Sequence, residues 1–248
     1  MDRWTGKVAV VTGAAGGIGS AVVEQLLNEN LKVAAVDNSS TRLNELIKKF
    51  ENKTKSLHTY AVDVTQDEEV VKFYQELTES LGPVHILVNC AGVIRQDTLI
   101  DGKTKNWKIV LDTNVLGLCI MTREAVKIMR ENEIDGHVVH ISSAAGRNVP
   151  DFPEMNVYPA SKFAVRALTE SYRQELNRFG LKIKVTCICP GKVNTLIVKT
   201  DVAYDKAVEE MPSLEPRDIA NSILYVLSTP PHVQVHEICI KPVGETFS

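Results

Sequence analysis

Gly13-Ala14-Ala15-Gly16-Gly17-Ile18-Gly19 follows a short apolar run, Lys7–Thr12, and precedes an apolar-periodic segment that continues to Leu27. This order predicts a strand, a tight glycine turn and a helix. Gly13, Gly17 and Gly19 allow the backbone to turn and a diphosphate to approach the amino end of the helix, where free N–H groups favour negative charge. An ordinary loop can have the same composition, so the neighbouring elements must decide between the two interpretations.

The next predicted strand, Leu31–Asp37, completes a β-α-β unit and ends in a carboxylate. At this distance past the glycines, Asp37 is placed to accept hydrogen bonds from the adenosine ribose hydroxyls of a dinucleotide, and the alternative role is a helix N-cap. The charge of Asp37 would repel a 2′-phosphate, and Asn38-Ser39-Ser40 supplies no cation to offset it, with Arg42 further along on the next helix. The sequence therefore predicts NAD rather than NADP.

The remaining apolar runs continue the alternation of strands and helices. Strands are predicted near residues 57–62, 84–88, 137–143, 183–189 and 237–240, and helices near 44–50, 65–81, 103–130, 158–179 and 215–227. The pattern is typical of an α/β fold, a single-domain Rossmann-type doubly wound parallel sheet of about seven strands with helices on both faces. One domain over 1–248 is expected, with a substrate lid at about 193–213.

Composition and charge argue against several classes of function. Of the 248 residues, 44% are hydrophobic and 24% are charged, which suffices for one full core, and the net charge of −3 comes without any block of lysine or arginine. Binding to nucleic acid or to an anionic membrane surface is therefore not expected. The sequence shows neither a signal segment nor an apolar run long enough to span a bilayer, so a soluble, cytoplasmic protein is expected.

The cysteines are odd in number and lie in apolar segments, as reduced, buried cysteines do in intracellular proteins; they are Cys90, Cys119, Cys187, Cys189 and Cys239. Cys187-Ile188-Cys189 could suggest a metal, but alternate residues of a strand share a face without a turn to bring in further ligands. The six histidines show no helical pairing typical of ligands either. No metal site is expected.

Tyr158-Pro159-Ala160-Ser161-Lys162 places a phenol and an ammonium four residues apart. Proline is tolerated only in the first turn of a helix, so a helix should begin just before Tyr158 and present Tyr158 and Lys162 on one face. A nearby cation lowers the pKa of a tyrosine, which would make Tyr158 a donor and acceptor of protons. Ordinary amphipathic helices often carry the same pair, so its meaning depends on the other motifs.

Two further features have both a structural and a functional interpretation. Asn114 is an amide among apolar neighbours, and it is either a satisfied structural residue or part of a proton path. The segment before Tyr158 carries Phe152, Met155 and Val157, and it is either folded into the core or shaped around an apolar ligand.

These motifs resemble the short-chain dehydrogenase/reductase family over the whole chain; they are the glycine turn, Asn89-Cys90-Ala91-Gly92, Asn114, Ser143, Tyr158 with Lys162, and Pro190-Gly191. The resemblance implies strand order 3-2-1-4-5-6-7, a nicotinamide cofactor and a catalytic tetrad of Asn114, Ser143, Tyr158 and Lys162. The family pattern selects Ser143 over Ser142 as the residue that holds the substrate oxygen. The implied cofactor residues are Gly13, Gly17, Ile18, Gly19, Asp37, Asp63, Val64, Asn89, Gly92, Tyr158, Lys162, Pro190, Gly191, Val193 and Thr195.

The C-terminal segments Ile223–Pro230 and Ile238–Pro242 are similar to the insect farnesol-dehydrogenase-like branch of this family. That branch generally uses NADP, with a basic residue in the glycine motif and arginines after the second strand, whereas this chain has Ala15 and Asp37. The broad substrate class is therefore carried over from the branch, and the cofactor is not.

The expected activity is the NAD(H)-dependent interconversion of an apolar alcohol, such as an isoprenoid, retinoid or steroid, and its aldehyde or ketone. The connections that leave the carboxyl ends of strands five and six should supply the pocket, through Phe152, Met155, Leu196 and Ile197.

Two alternatives remain open at the level of sequence. Arg147 and Lys192 could hold the carboxylate of a short hydroxy acid, and a non-catalytic NAD-binding sensor could share the fold. For either function, apolar positions on the helices near 103–130 and 158–179 predict a homodimer or homotetramer.

Overall fold

The computed structural model describes residues 1–53, 55–195 and 211–245. Its described part contains one seven-stranded sheet with the order β3-β2-β1-β4-β5-β6-β7, and every neighbouring pair is parallel. The strands are β1 (Val8–Thr12), β2 (Lys32–Asp37), β3 (Leu57–Ala61), β4 (Val84–Asn89), β5 (His137–Ile141), β6 (Lys184–Pro190) and β7 (Glu237–Ile240). The predicted fold class and strand order are confirmed.

Helices cover both faces of this sheet. They are α1 (Gly17–Asn28), α2 (Ser40–Lys49), α3 (Asp67–Leu81), α4 (Thr104–Leu111), α5 (Leu118–Glu131), α6 (Tyr158–Arg178) and α7 (Pro216–Ser228). Within the described ranges, none of the helices combines the length and apolarity that crossing a membrane requires.

The core consists of two apolar layers separated by the sheet. Ala9 and Val11 pack with α1, α2 and α7 on one face, and Val8 and Val10 pack with α3, α5 and α6 on the other. All five residues of β1 are buried, because both faces of a central parallel strand are covered. This burial explains why the strands appear in the sequence as continuous apolar runs.

Two boundaries differ from the predictions in ways that matter for the site. α2 begins at Ser40 rather than near Asn44, because the Ser39 hydroxyl accepts a hydrogen bond from the Arg42 amide (3.3 Å) and caps the helix earlier. β5 ends at Ile141, so Ser142 and Ser143 lie in the connection beyond the strand.

All five cysteines are free thiols. Cys187 and Cys189 are buried, as predicted, and Cys90 and Cys119 are partly buried. The expectation of burial is wrong for Cys239, which is exposed on the edge strand β7.

Candidate active site

The glycine turn after β1 brings the chain close to β4 and opens the amino end of α1. Gly13 has φ +60°, and a Cβ at this position would lie 2.8 Å from the Cα of Ala91. A Cβ at Gly19 would overlap the carbonyl oxygen of Gly13. Within the described residues, no side chain caps α1 at Gly16, so its first N–H groups remain available to an anion.

Asp37 ends β2 beside this turn and is only 5% exposed. Its carboxylate accepts hydrogen bonds from the amides of Ala15 (3.2 Å) and Ser39 (3.1 Å). Arg42 also donates to it (2.8 Å) from the first turn of α2. The expectation that no cation offsets Asp37 is therefore wrong, because the early start of α2 brings Arg42 back towards the end of β2.

A groove of about 660 Å³ runs along the carboxyl edge of the sheet from Asp37 to Gly92. This volume lies within the range of cofactor-sized sites. Of the predicted cofactor residues, the groove is lined by Gly13, Gly17, Ile18, Gly19, Asp37, Asp63, Val64, Gly92 and Thr195.

Asn89 lies behind this groove rather than on its wall. Its side chain is 3% exposed and donates a hydrogen bond to the Thr122 hydroxyl (3.0 Å) on α5. The structure therefore gives Asn89 a role in fixing the end of β4 against a helix.

An apolar pocket adjoins the groove and shares Ile18, Cys90, Gly92 and Thr195 with it. The remaining predicted cofactor residues line this pocket, namely Tyr158, Lys162, Pro190, Gly191 and Val193. Because the two cavities share these four wall residues, a ligand in the groove and a ligand in the pocket would meet beside them.

Tyr158 is the first residue of α6, and Lys162 follows one turn later. The Lys162 Nζ lies 5.7 Å from the centre of the Tyr158 ring and donates a hydrogen bond to the Ile141 carbonyl (3.0 Å). Burial lowers the pKa of Lys162, whose exposure is 6%, to about 8.

Burial also raises the pKa of Tyr158, and a hydrogen bond with the Ser143 side chain opposes this rise. The predicted lowering of the Tyr158 pKa by Lys162 is therefore wrong for the protein alone. Desolvation of the phenolate outweighs the influence of an ammonium group that is directed towards a backbone carbonyl.

Ser143 and Ser142 occupy different positions beyond β5. The Ser143 hydroxyl accepts a hydrogen bond from the Ala145 amide (3.1 Å) and interacts with Tyr158. The Ser142 hydroxyl is buried and donates to the backbone carbonyl of Lys162 (2.8 Å). Ser143 thus lies beside the phenol, whereas Ser142 ties the start of the helix to the sheet.

Asn114 lies in a π-helical turn, Asp112–Gly117, which interrupts the predicted long helix between α4 and α5. The side chain is 1% exposed, accepts from the Val93 amide (2.8 Å) and donates to the Val93 carbonyl (2.9 Å). It also donates to the Ser161 hydroxyl (3.0 Å) on α6. Asn114 is therefore fully satisfied and holds the connection after β4 against the helix that carries Tyr158 and Lys162.

The apolar pocket accounts for some of the predicted substrate residues. Phe152 and Met155 line it, together with Ile94 and Pro150, which the sequence did not single out. Leu196 and Ile197 lie outside the described residues, as does most of the expected lid.

Glu245 is a pocket residue that the sequence reasoning missed. Its side chain is 4% exposed, accepts from the Lys192 amide (3.2 Å) and pairs with Lys241 (3.3 Å). It reaches the pocket from beyond β7, more than fifty residues after the Pro190-Gly191 motif, and no local pattern marks it.

Comparisons with known proteins find relatives over almost the whole chain. A family model described as short chain dehydrogenase matches residues 7–205. A farnesol dehydrogenase from Aedes aegypti is 43% identical over 252 residues, with 100% of each chain covered. Dehydrogenase/reductase SDR family member 11 from Bos taurus is 40% identical, with 99% of each chain covered. The closed form of a serine dehydrogenase complexed with NADP+ superposes with a TM-score of 0.88 at 27% identity, covering 97% of both chains.

Proposed function

The chain belongs to the short-chain dehydrogenase family and is an oxidoreductase of that family, and from this premise we propose that it interconverts an apolar alcohol and its aldehyde or ketone with NAD(H). The observation that carries the proposal is the convergence of Ser143, Tyr158 and Lys162 on an apolar pocket that opens into the groove. A nicotinamide, when bound, supplies or accepts the hydride.

The protein's own part in this reaction is to position the substrate oxygen and to move its proton. The Tyr158 hydroxyl donates the proton when a carbonyl is reduced and receives it when an alcohol is oxidised. Ser143 lies beside that hydroxyl and holds the same substrate oxygen. Asn114 keeps Lys162 and Tyr158 in place through its hydrogen bond to Ser161, which lies between them on α6.

The preference for NAD over NADP rests on the buried carboxylate of Asp37. Its position at the end of β2 suits the ribose hydroxyls of NAD, and a 2′-phosphate would meet its charge. Arg42 already pairs with Asp37, so its charge is engaged by the protein, although 49% of its side chain remains exposed. We expect this arginine to weaken the discrimination against NADP rather than to reverse it.

The preference for an apolar substrate rests on the pocket walls and on the position of Arg147. Phe152, Met155 and Ile94 form apolar walls. Of the two cations in the hydroxy-acid alternative, Lys192 lines the pocket, whereas Arg147 is paired with Glu237 and is absent from the described pocket lining. Glu245 would also repel a substrate carboxylate. The farnesol dehydrogenase relative supports an isoprenoid-type alcohol.

A substrate series tests both parts of the proposal. The purified protein is incubated with NAD and a homologous series of primary alcohols, while the absorbance of reduced nicotinamide is followed. Each buried CH₂ should improve kcat/KM by up to about fourfold, equivalent to ~0.8 kcal/mol, until the pocket is filled. A flat series, or a preference for short hydroxy acids, contradicts the apolar pocket. Binding of NAD without turnover of any alcohol or carbonyl favours the sensor alternative.

A homodimer or homotetramer also forms part of the proposal. Leu111 and Leu116, near the junction of α4 and α5, and Phe163 on α6 are exposed apolar side chains on the helices that the sequence singled out. Burying such residues across a two-fold axis would stabilise an oligomer. Light scattering at micromolar concentration should give a multiple of 27.4 kDa, and a mass of one chain would refute it.

A further inference from the structure

A second cluster of reactive side chains lies on β6 and β7, near Lys162. Cys187 and Cys189 are alternate residues of β6, and their Sγ atoms are 3.7 Å apart. Glu237 lies on β7, directly opposite Cys187 in the register. The two sulfurs and one carboxylate oxygen of Glu237 all lie within 4.8 Å of one another. We refer to these three residues as the dithiol cluster.

Two ordinary explanations account for the cluster only in part. Buried cysteines often serve as small apolar side chains, but an apolar role does not explain a carboxylate beside two touching sulfurs. A disulfide is unfavourable, because alternate residues of a strand have Cα atoms about 6.6 Å apart, near the upper limit of about 6.8 Å for such a bond.

The spacing of the sulfurs fits a tetrahedral thiolate site. With metal–sulfur bonds of about 2.3 Å, two sulfurs at the corners of a tetrahedron are roughly 3.8 Å apart, close to the 3.7 Å between Cys187 and Cys189. The sequence suggested no further ligand, because a strand has no turn to supply one. The neighbouring strand β7 supplies this ligand instead, through Glu237. Its carboxylate oxygen would move roughly 1 Å towards the sulfurs to reach the spacing of a tetrahedral site.

Arg147 and Arg166 hold the carboxylate in position for this role. Arg147 pairs with Glu237 Oε1, and Arg166 donates to Oε2 (2.5 Å). A carboxylate has about four lone-pair sites, so Glu237 can keep both guanidinium groups and still bind a cation. Such hydrogen bonds to a ligating carboxylate are typical of metal sites.

We propose that Cys187, Cys189 and Glu237 form a binding site for a thiophilic divalent cation of the Zn²⁺ type. On binding, each thiol releases its proton to solvent, two metal–sulfur bonds and one metal–oxygen bond form, and water takes the fourth position. No electron is transferred. The bound cation would join β6 to β7 behind Ser142, whose side chain interacts with Cys189.

A competition titration tests the site without reference to enzymatic activity. Zn²⁺ is titrated into the reduced, purified protein in the presence of a chromophoric chelator, and Cd²⁺ is titrated separately to follow thiolate-to-metal charge-transfer absorbance. The wild type should bind about one equivalent per chain with both ions. Cys187→Ser and Cys189→Ser should each abolish binding, and Glu237→Gln, which keeps both thiols, should weaken it by at least about tenfold.

Two matched controls separate this cluster from the other thiols. Cys119→Ser removes a thiol on α5, and Cys239→Ser removes the exposed thiol of β7. Both variants should still bind about one equivalent of Zn²⁺ per chain. Thermal unfolding checks that each variant folds, and Zn²⁺ should raise the melting temperature of the wild type and not that of the Cys187 variant. Failure of the wild type to bind, loss of binding in Cys239→Ser, or unchanged binding in both Cys187→Ser and Glu237→Gln would overturn the proposal.

Discussion

Replacing Lys162 by methionine should stabilise the fold while it damages the reaction. Burial holds the pKa of Lys162 at about 8, against an ordinary value near 10.4 for lysine in an unfolded chain. At pH 7 the folded protein therefore carries a buried ammonium at a cost of roughly 3 kcal/mol. Methionine has a similar length and no charge. Losing the hydrogen bond to the Ile141 carbonyl (3.0 Å) should cost about 1 kcal/mol.

The net expectation at pH 7 is that Lys162→Met is about 2 kcal/mol more stable than the wild type. For a chain of this size, this corresponds to a rise of roughly 4–8 °C in melting temperature. The difference should depend on pH. Below pH 8 the lysine is charged in both the folded and the unfolded protein, so folding bears the full cost of burying the ammonium group. Between about pH 8 and pH 10.4 only the unfolded chain stays protonated, so the wild type gains stability as the pH rises and the advantage of the variant disappears.

The assay is urea unfolding of the cofactor-free proteins at pH 7 and at pH 10, with turnover and NAD affinity measured in parallel. Turnover and NAD affinity should both fall in Lys162→Met, because we propose that this ammonium group binds the cofactor beside Tyr158. Lys182→Met, at an exposed position on the same chain, is the matched control and should change neither stability nor activity. The reasoning would be refuted if Lys162→Met were less stable than the wild type at pH 7. It would also be refuted if the difference in free energy of unfolding between the two proteins were the same at pH 7 and at pH 10.

The remaining predictions concern Tyr158 as the proton donor, the choice between Ser143 and Ser142, and the contact of Asp37 with the cofactor ribose. Tyr158→Phe keeps the ring and removes the hydroxyl, so kcat should fall by about 10²–10⁴-fold while NAD binding, followed by fluorescence, persists; unchanged turnover would exclude Tyr158 as the acid. Ser143→Ala should lower kcat/KM strongly, whereas Ser142→Ala should mainly lower the free energy of unfolding, by about 1 kcal/mol for the lost bond to a backbone carbonyl; a strong fall of kcat/KM in Ser142→Ala alone would move the catalytic role to Ser142. Asp37→Ala removes the repulsion and releases Arg42, so the ratio of kcat/KM for NAD over NADP should fall; a ratio that stays fixed or rises would count against Asp37 as the discriminating residue.

Most of the fold and part of the site could be predicted from the sequence, because their signals are local. The glycine turn and the carboxylate of Asp37 are separated by a single β-α-β unit, whose geometry is fixed by strand and helix periodicity. Tyr158 and Lys162 are one helical turn apart, and Pro159 marks where that helix starts. For such residues, local structure alone brings the side chains to the same edge of the sheet.

The contacts that were missed depend on tertiary structure. Arg42 reaches Asp37 only because Ser39 caps α2 one turn earlier than the apolar pattern suggests. Glu245 enters the pocket from beyond the last strand, and no periodicity relates it to Gly191. The π-helical turn at Asn114 follows from its bonds to Val93 and Ser161 rather than from any propensity of its own residues.

The Tyr158 pKa shows most clearly why helical spacing alone did not define the chemistry. A spacing of four residues fixes where two Cβ atoms lie, but the Lys162 Nζ lies at the end of a long side chain and is drawn to the Ile141 carbonyl. Since burial raises the pKa of Tyr158 and lowers that of Lys162 to about 8, the lysine loses its proton before the phenol does. In the protein alone Tyr158 is therefore a neutral hydroxyl at neutral pH, ready to donate its proton to a carbonyl, and any phenolate needed for alcohol oxidation must be stabilised by what binds beside it.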